Sequence, residues 1–261
     1  MNVSDDFFKY SLKTIGYCKI QNCIKDLKLI EKLKSDLDNA CEQDKKSIKS
    51  YDNYRFYDII HHLIDRSHNF IKLIEMDVLN HYVHQALDKN AVIHSYNGVK
   101  LMPSRGNNAT KIHRDSQRFY SQSYPLLIQA IICLDHFTKE NGATYLLPAS
   151  HHVEEKPSDK FFYDHAERVL ASPGDVIFFD SLVWHAGGSN QTETPRRALT
   201  VVYSRSFMKQ QIDLSRSLSS NVINSLSDTG KRLIGMNVRV PSNKMEFYLP
   251  ENERLYKPNQ G

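Results

Sequence analysis

The sequence predicts an α+β chain, mostly β, in which helices buttress a sandwich or jelly roll of short strands. Three observations carry this expectation. Residues 24–45 place Leu27, Ile30, Leu33 and Leu37 at three-to-four spacing among charges, the stripe of an amphipathic helix. From Ala91 onward the apolar pieces shorten, and β-branched and aromatic residues become frequent. Asn97-Gly98, Asn141-Gly142, Pro173-Gly174 and Gly187-Gly188 then punctuate those pieces as turn formers.

Taken in order, the pattern predicts helices over 24–45, 57–65 and 70–87. The last has Ile71, Ile74, Val78, Tyr82 and Leu87 as its apolar stripe. Strands follow near 91–96, 110–115, 125–135, 143–148, 167–170, 175–179, 183–187 and 197–207. Many short strands at such spacing suggest two packed sheets. A helix over 210–226 and a polar tail close the chain. With no internal repeat and no low-complexity linker, residues 1–261 read as a single domain. Its helical support covers 1–90, its jelly-roll core 91–207, and its C-terminal helix and tail 208–261.

Composition sets bounds on partners. Apolar residues at 40% and charged residues at 25% suffice for a sizeable core. The net charge of +4 comes from scattered Lys and Arg, not from a dense stripe, which argues against nucleic acid. No apolar run nears the roughly 18 residues that a bilayer-spanning helix requires. Residues 1–9 lack a basic segment followed by an apolar stretch, so no secretory signal is expected. Cys18, Cys23, Cys41 and Cys133 form no Cys-x-x-Cys pair and read as reduced thiols. A cytoplasmic protein acting on a small molecule is the expectation; oligomeric state stays open.

The most informative local feature is His113-Arg114-Asp115, followed at a distance by Trp184-His185. In an extended strand, residues two apart share a face, so His113 and Asp115 can hold one ion while Arg114 points away. Two imidazoles and one carboxylate form the ligand set of a mononuclear Fe(II) site with open positions. His185 stands where a third ligand from a distant strand is required. Alone, His-x-Asp is a weak signal in a chain with 12 histidines. Its neighbours strengthen it.

Further signatures follow in order. Residues 134–144 read Leu-Asp-His-Phe-Thr-Lys-Glu-Asn-Gly-Ala-Thr and lead into Leu147-Pro148-Ala149-Ser150-His151. Pro173-Gly174-Asp175 opens Val176-Ile177-Phe178-Phe179-Asp180, and Trp184-His185-Ala186-Gly187-Gly188 precedes Arg196-Arg197. Together, over about residues 90–207, these resemble the phytanoyl-CoA dioxygenase family of Fe(II)/2-oxoglutarate-dependent oxygenases. The resemblance implies a double-stranded β-helix, cupin-like core and hydroxylation of an unactivated C–H, with release of succinate and CO2. It implies Fe(II) on His113, Asp115 and His185, with 2-oxoglutarate and O2 as co-substrates. It also implies that Arg196, with Arg197 as fallback, holds the distal carboxylate of 2-oxoglutarate, assisted by Thr144. A guanidinium suits that role, because its rigid fork matches a carboxylate and keeps its charge.

Departures from the family pattern are Ala149 in a Pro-Gly-Ser-His loop, Ile131 at a position aromatic in some relatives, and Gly187 where some carry serine. Retention of Asp115 favours hydroxylation over halogenation, in which Gly or Ala replaces the carboxylate. Gln129 shares parity with Ile131 and Cys133 and would point inward, where a polar side chain needs a partner in substrate or co-substrate. Residues 96–108, the loop 152–165 with Phe161, Phe162 and Tyr163 as a lid, and the chain after Phe207 are expected to shape the substrate site. His151 and His152 adjoin the barrel, whereas His61, His62, His68, His81 and His84 read as structural. Trp184 reads as barrel packing. The alternative is a non-catalytic or non-oxygenase metal-binding jelly roll; loss of a ligand would favour the first and none is lost, and the second leaves Arg196 without a purpose.

Overall fold

The computed structural model describes residues 3–48, 58–116 and 124–256. Helix α1 (Asp5–Thr14) starts at Ser4, whose hydroxyl accepts from the Phe7 amide, with Asp5 and Asp6 in the positive first turn. Strand β1 (Tyr17–Ile20) and helix α2 (Leu27–Ser47) come next, then β2 (Ile59–His61), α3 (His68–Ile74) and α4 (Asp77–Ala86). The strand-rich part comprises β3 (Val92–Leu101), β4 (Leu127–Cys133), β5 (Tyr145–Leu146), helix α5 (Asp159–His165), β6 (Glu167–Arg168), β7 (Val176–Asp180), β8 (His185–Ala186) and β9 (Arg196–Ser204). Short helices α6 (Leu214–Ser217), α7 (Ser220–Ser225) and α8 (Asp228–Leu233) follow.

The strands form a six-stranded antiparallel sheet in the order β1-β7-β4-β9-β3-β2, facing a three-stranded sheet in the order β6-β5-β8. The larger sheet is not closed, and the arrangement is of the jelly-roll type the sequence predicts. Strand parity builds two cores from it. Ile128, Ala130 and Ile132 of β4 join Leu29, Ile30, Leu33 and Leu37 of α2 and Phe8 of α1 in one cluster behind the sheet. Ile131 and Cys133 point the other way and pack with Phe137, Leu146, Phe179 and Val183 between the sheets. Burial on both faces explains why β4 reads as an unbroken apolar run, interrupted only by Gln129.

Several expectations need correction. The helix expected over 57–65 is strand β2 at Ile59–His61; residue 57 lies outside the described residues. Pairing with β3 overrides local propensity there. Asn97-Gly98 is no turn: both residues lie within β3, hydrogen-bonded to β9 on one side and β2 on the other. The helix expected over 70–87 breaks at Glu75–Met76 into α3 and α4. Residues 110–115 give only a 3-10 turn at Asn108–Thr110 and a single bridge at His113. Helix α2 buries Leu29 and leaves Leu27 58% exposed. Helix α1 lies in the helical support expected over 1–90, strand β1 interrupts it, and the 210–226 helix is two short ones. Among the described residues, no helix is long and apolar enough to cross a membrane.

Gly98 is required by close approach. A Cβ placed there would lie 2.1 Å from Leu37 Cδ1, so α2 sits directly on the β3 backbone. Gly98→Ala is therefore expected to lower stability by about 1–3 kcal/mol through overpacking. Urea denaturation of the two proteins, read as a fall in the midpoint at constant slope, measures it.

Candidate metal centre

His113 and His185 are joined through their backbones before they meet through their side chains. The His113 amide donates to the His185 carbonyl (3.0 Å), and the His185 amide donates back to His113 (2.8 Å). Residues paired this way across antiparallel chains put their side chains on one face. The two imidazole centroids are accordingly 4.2 Å apart. The third ligand is thus distant in sequence but adjacent in space, not on a distant strand of the barrel. Asp115, two residues on, returns to the same side, with Oδ1 at 3.9 Å from His113 Nε2 and 3.8 Å from His185 Nε2. One ligand atom from each of the three lies within 4.8 Å of the others.

Hydrogen bonds fix which ring nitrogens face inward. His113 Nδ1 donates to the Lys111 carbonyl (2.7 Å), and His185 Nδ1 donates to the Val183 carbonyl (2.9 Å). A carbonyl can only accept, so each neutral ring carries its proton on Nδ1 and presents the Nε2 lone pair to the centre. Burial, with His113 alongside, pushes His185 well below the usual imidazole value and keeps it unprotonated. Burial also lifts the Asp115 carboxyl to about 6, while the His113 imidazole lowers it. Asp115 Oδ2 is buried with no hydrogen-bond partner. Two aimed lone pairs and an under-bonded carboxylate suit a divalent cation.

The Leu147–His151 loop holds this arrangement in place. Ser150 Oγ donates to the Leu147 carbonyl (2.7 Å) and accepts from the Trp184 amide (2.9 Å), next to the ligand His185. Ala149 adopts φ +58° at the position where the family has glycine, so the departure carries local strain. Trp184 is buried in packing with Leu147 and Phe162, and the Arg114 guanidinium lies 4.4 Å from its ring centre.

The triad opens onto a cavity of about 500 Å3 that Thr144, Gln129 and Arg196 also line. Arg196 is 4% exposed, and its Nη1 donates to the Gly142 carbonyl. Its guanidinium carbon lies 4.1 Å from the Phe137 ring centre, and its Nε has no partner. Burial lowers its pKa to about 10, which leaves it a cation at neutral pH. Among the described residues no carboxylate lies within ion-pair distance of it, and a buried lone cation seeks an anion. Arg197, one residue on, faces outward and pairs with Asp38 (3.0 Å) and Asp135 (3.2 Å).

Residues 12–198 match the family model described as Phytanoyl-CoA dioxygenase (PhyH). The chain belongs to the phytanoyl-CoA dioxygenase family. The uncharacterized protein Rv1501 of Mycobacterium tuberculosis is 33% identical over 199 residues, covering 74% of this chain and 72% of that protein. Dioxygenase trt7 of Aspergillus terreus is 30% identical over 145 residues, spanning 49% of each chain. The crystal structure of AviO1 from Streptomyces viridochromogenes Tue57 superposes with a TM-score of 0.62 at 19% identity, covering 78% of this chain and 96% of that one. A second, of EvdMO1, gives 0.61 at 20% identity over 76% of this chain and 49% of its own. Membership in the phytanoyl-CoA dioxygenase family and the dioxygenase-named relatives support an oxygenase, and the family implies iron and 2-oxoglutarate.

Other expectations fare unevenly. The segment 152–165 does not line the cavity; α5 packs its Phe162 against Trp184 instead. His151 and His152 both turn to the Lys13 carbonyl at the end of α1. Of the cavity wall, Asn97 and Gln211 come from the segments 96–108 and after Phe207 that are expected to shape the site, whereas His61, His94 and Thr200 lie outside the segments expected to line it. Parity along Arg196, Ala198, Thr200 and Val202 was the available signal for Thr200.

Burial pushes the His151 imidazole down to about 4, with His152 adding to the shift. Between the ordinary value near 6.5 and 4, the unfolded chain therefore binds more protons at this site. His151 stabilises the fold fully above that window and loses its contribution as pH falls through it. Burial raises Asp180 to about 6, and that group acts in the opposite sense. The variant thus has to be compared with the parent protein: His151→Gln should show a shallower fall in unfolding free energy between pH 6.5 and 4, measured by urea titration.

Proposed function

We propose that this chain is a 2-oxoglutarate-dependent non-haem iron dioxygenase that hydroxylates an unactivated C–H of a small molecule. His113, Asp115 and His185 would hold Fe(II), while Arg196, assisted by Thr144, would hold the distal carboxylate of 2-oxoglutarate. One observation carries the reading: a buried guanidinium with no ion-pair partner among the described residues shares a cavity with a His-Asp-His cluster. Bound iron supplies the oxidising chemistry with O2, one oxygen atom entering the substrate and the other the succinate formed as CO2 leaves 2-oxoglutarate.

The protein's own contribution is placement. The Lys111 and Val183 carbonyls hold both imidazoles in the ligating tautomer. The Gly142 carbonyl and the Phe137 ring fix the Arg196 guanidinium, so that a carboxylate meets a fork already oriented. Low polarity around Ile131 and Ala198 strengthens that ion pair and excludes water. Four buried cysteines, none of them in a disulfide, suit a reducing compartment, and we place the protein in the cytoplasm.

Anaerobic titration with Fe(II) and 2-oxoglutarate, followed by succinate release on exposure to O2, tests the assignment. Asp115→Ala should abolish both iron retention and succinate formation. Arg196→Met should keep iron and weaken 2-oxoglutarate binding by roughly 100-fold, the loss of charge-assisted hydrogen bonds to a carboxylate. Full succinate formation by Asp115→Ala would overturn the ligand assignment.

A further inference from the structure

The cavity extends well beyond the groups that would hold iron and 2-oxoglutarate. Along β9, the inward residues after Arg196 are Ala198, Thr200 and Val202. Thr200 lies four residues from Arg196, about 13 Å at some 3.3 Å per residue. A five-carbon diacid seated on Arg196, with four carbon–carbon bonds of about 1.5 Å, does not reach that far.

At Thr200 the sheet register aligns a polar row. Thr200 is the cross-strand partner of Asn97 on β3, and Asn97 is the partner of His61 on β2. Direct partners share a face, and all three side chains line the cavity. His61 Nδ1 donates to Asn97 Oδ1 (3.1 Å), which holds the amide in one orientation and leaves its NH2 group as a donor. The Thr200 hydroxyl makes only a long contact of 3.5 Å to the Asn97 carbonyl. Beside the row, Gln129 opposes Val202 and is 7% exposed. Its amide has no hydrogen-bond partner among the described residues. A buried primary amide left in that state calls for a ligand that both donates and accepts.

Charge narrows the class. Among the described lining residues, the charged side chains are Asp115 at the metal centre, Arg196 and the exposed Lys111. Burial holds His61 and His94 below the usual imidazole value, so both are neutral at pH 7. A coenzyme A moiety carries several phosphate charges and needs a cluster of cations. A free amino acid needs a carboxylate to meet its ammonium group and a cation to meet its own carboxylate. Among the described lining residues neither set stands here: beyond the groups that iron and 2-oxoglutarate would engage there is only the exposed Lys111. Leu127, Ile131, Val99 and Val202 interleave with the polar groups, giving a wall that alternates apolar and hydrogen-bonding patches.

We propose that the Thr200–Asn97–His61 row, with Gln129 beside it, is the substrate-recognition wall and selects an uncharged, oxygen-rich small molecule. That molecule is a saturated ring or chain bearing several hydroxyl, ether or carbonyl oxygens, not an acyl-CoA or a free amino acid. The proposal rests on Arg196 being the co-substrate anchor. Row residues are specificity determinants that orient a C–H toward the triad; none takes part in the chemistry.

The test is binding to the metal-free protein, read by saturation-transfer NMR and calorimetry. Methyl β-D-glucopyranoside and myo-inositol serve as neutral probes, and acetyl-CoA and L-ornithine as charged ones. The neutral probes should bind, and Gln129→Leu and Asn97→Leu should weaken them about tenfold or more, the penalty for removing a hydrogen-bonding partner. Gln129→Leu should melt no lower than the parent, because its amide has no partner among the described residues, which separates recognition from a structural role. Binding of a charged probe alone, of no neutral probe, or of neutral probes equally to parent and variants overturns the proposal. Fe(II)-dependent binding of 2-oxoglutarate to the parent is measured in parallel. Its absence would count against the oxygenase reading, whereas the metal-free titrations report on the wall alone.

Discussion

Two reciprocal backbone hydrogen bonds, between His113 and His185, are the constraint on which the candidate centre depends. They tie a connecting segment to the short strand β8 and set two imidazoles side by side. A third bond, from the Ser116 amide to the Ser181 carbonyl (3.1 Å), continues the pairing past Asp115. The donor cluster is thus built from main-chain geometry first, and side-chain rotamers need to settle only the last ångström. Holding a buried imidazole, a half-buried one and a carboxylate together is costly without a cation, and this pairing keeps them together regardless.

Opposite charges are held apart in the same cavity. Among the described residues Asp115 leans on no lysine or arginine, and Arg196 is answered by a carbonyl and an aromatic face, not by a carboxylate. Elsewhere the fold pairs its charges freely, as Arg197 does with Asp38 and Asp135 one residue away. The contrast between neighbouring arginines follows from strand alternation: one face meets solvent and α2, the other the cavity.

Much of this was legible from residue types. The alternation in β4 and β9, the turns at Gly142 and Gly174, with φ of +81° and +88°, and the grouping of His113, Asp115 and His185 all follow from local pattern. What escaped was set by pairing, not by propensity. Asn97-Gly98 carries a strong turn signal, yet two flanking strands and the close approach of Leu37 make it a strand interior. His61 sat in a stretch that reads as helix, and only its pairing with Asn97 brings it to the cavity. The break at Glu75–Met76 had no Gly or Pro to announce it. The Thr200–Asn97–His61 row was therefore the least readable part, because its members come from three strands and meet only through register.

The position of β2 at the end of the sheet carries a consequence for substitution. Strands β4 and β9 are packed on both faces, so most replacements there disturb either the helical core or the inner cluster. β2 pairs with a single neighbour and contributes Ile59 and His61 to the cavity wall. Substitutions at that margin can thus reshape the cavity lining while the central scaffold and the His-Asp-His geometry stay as they are.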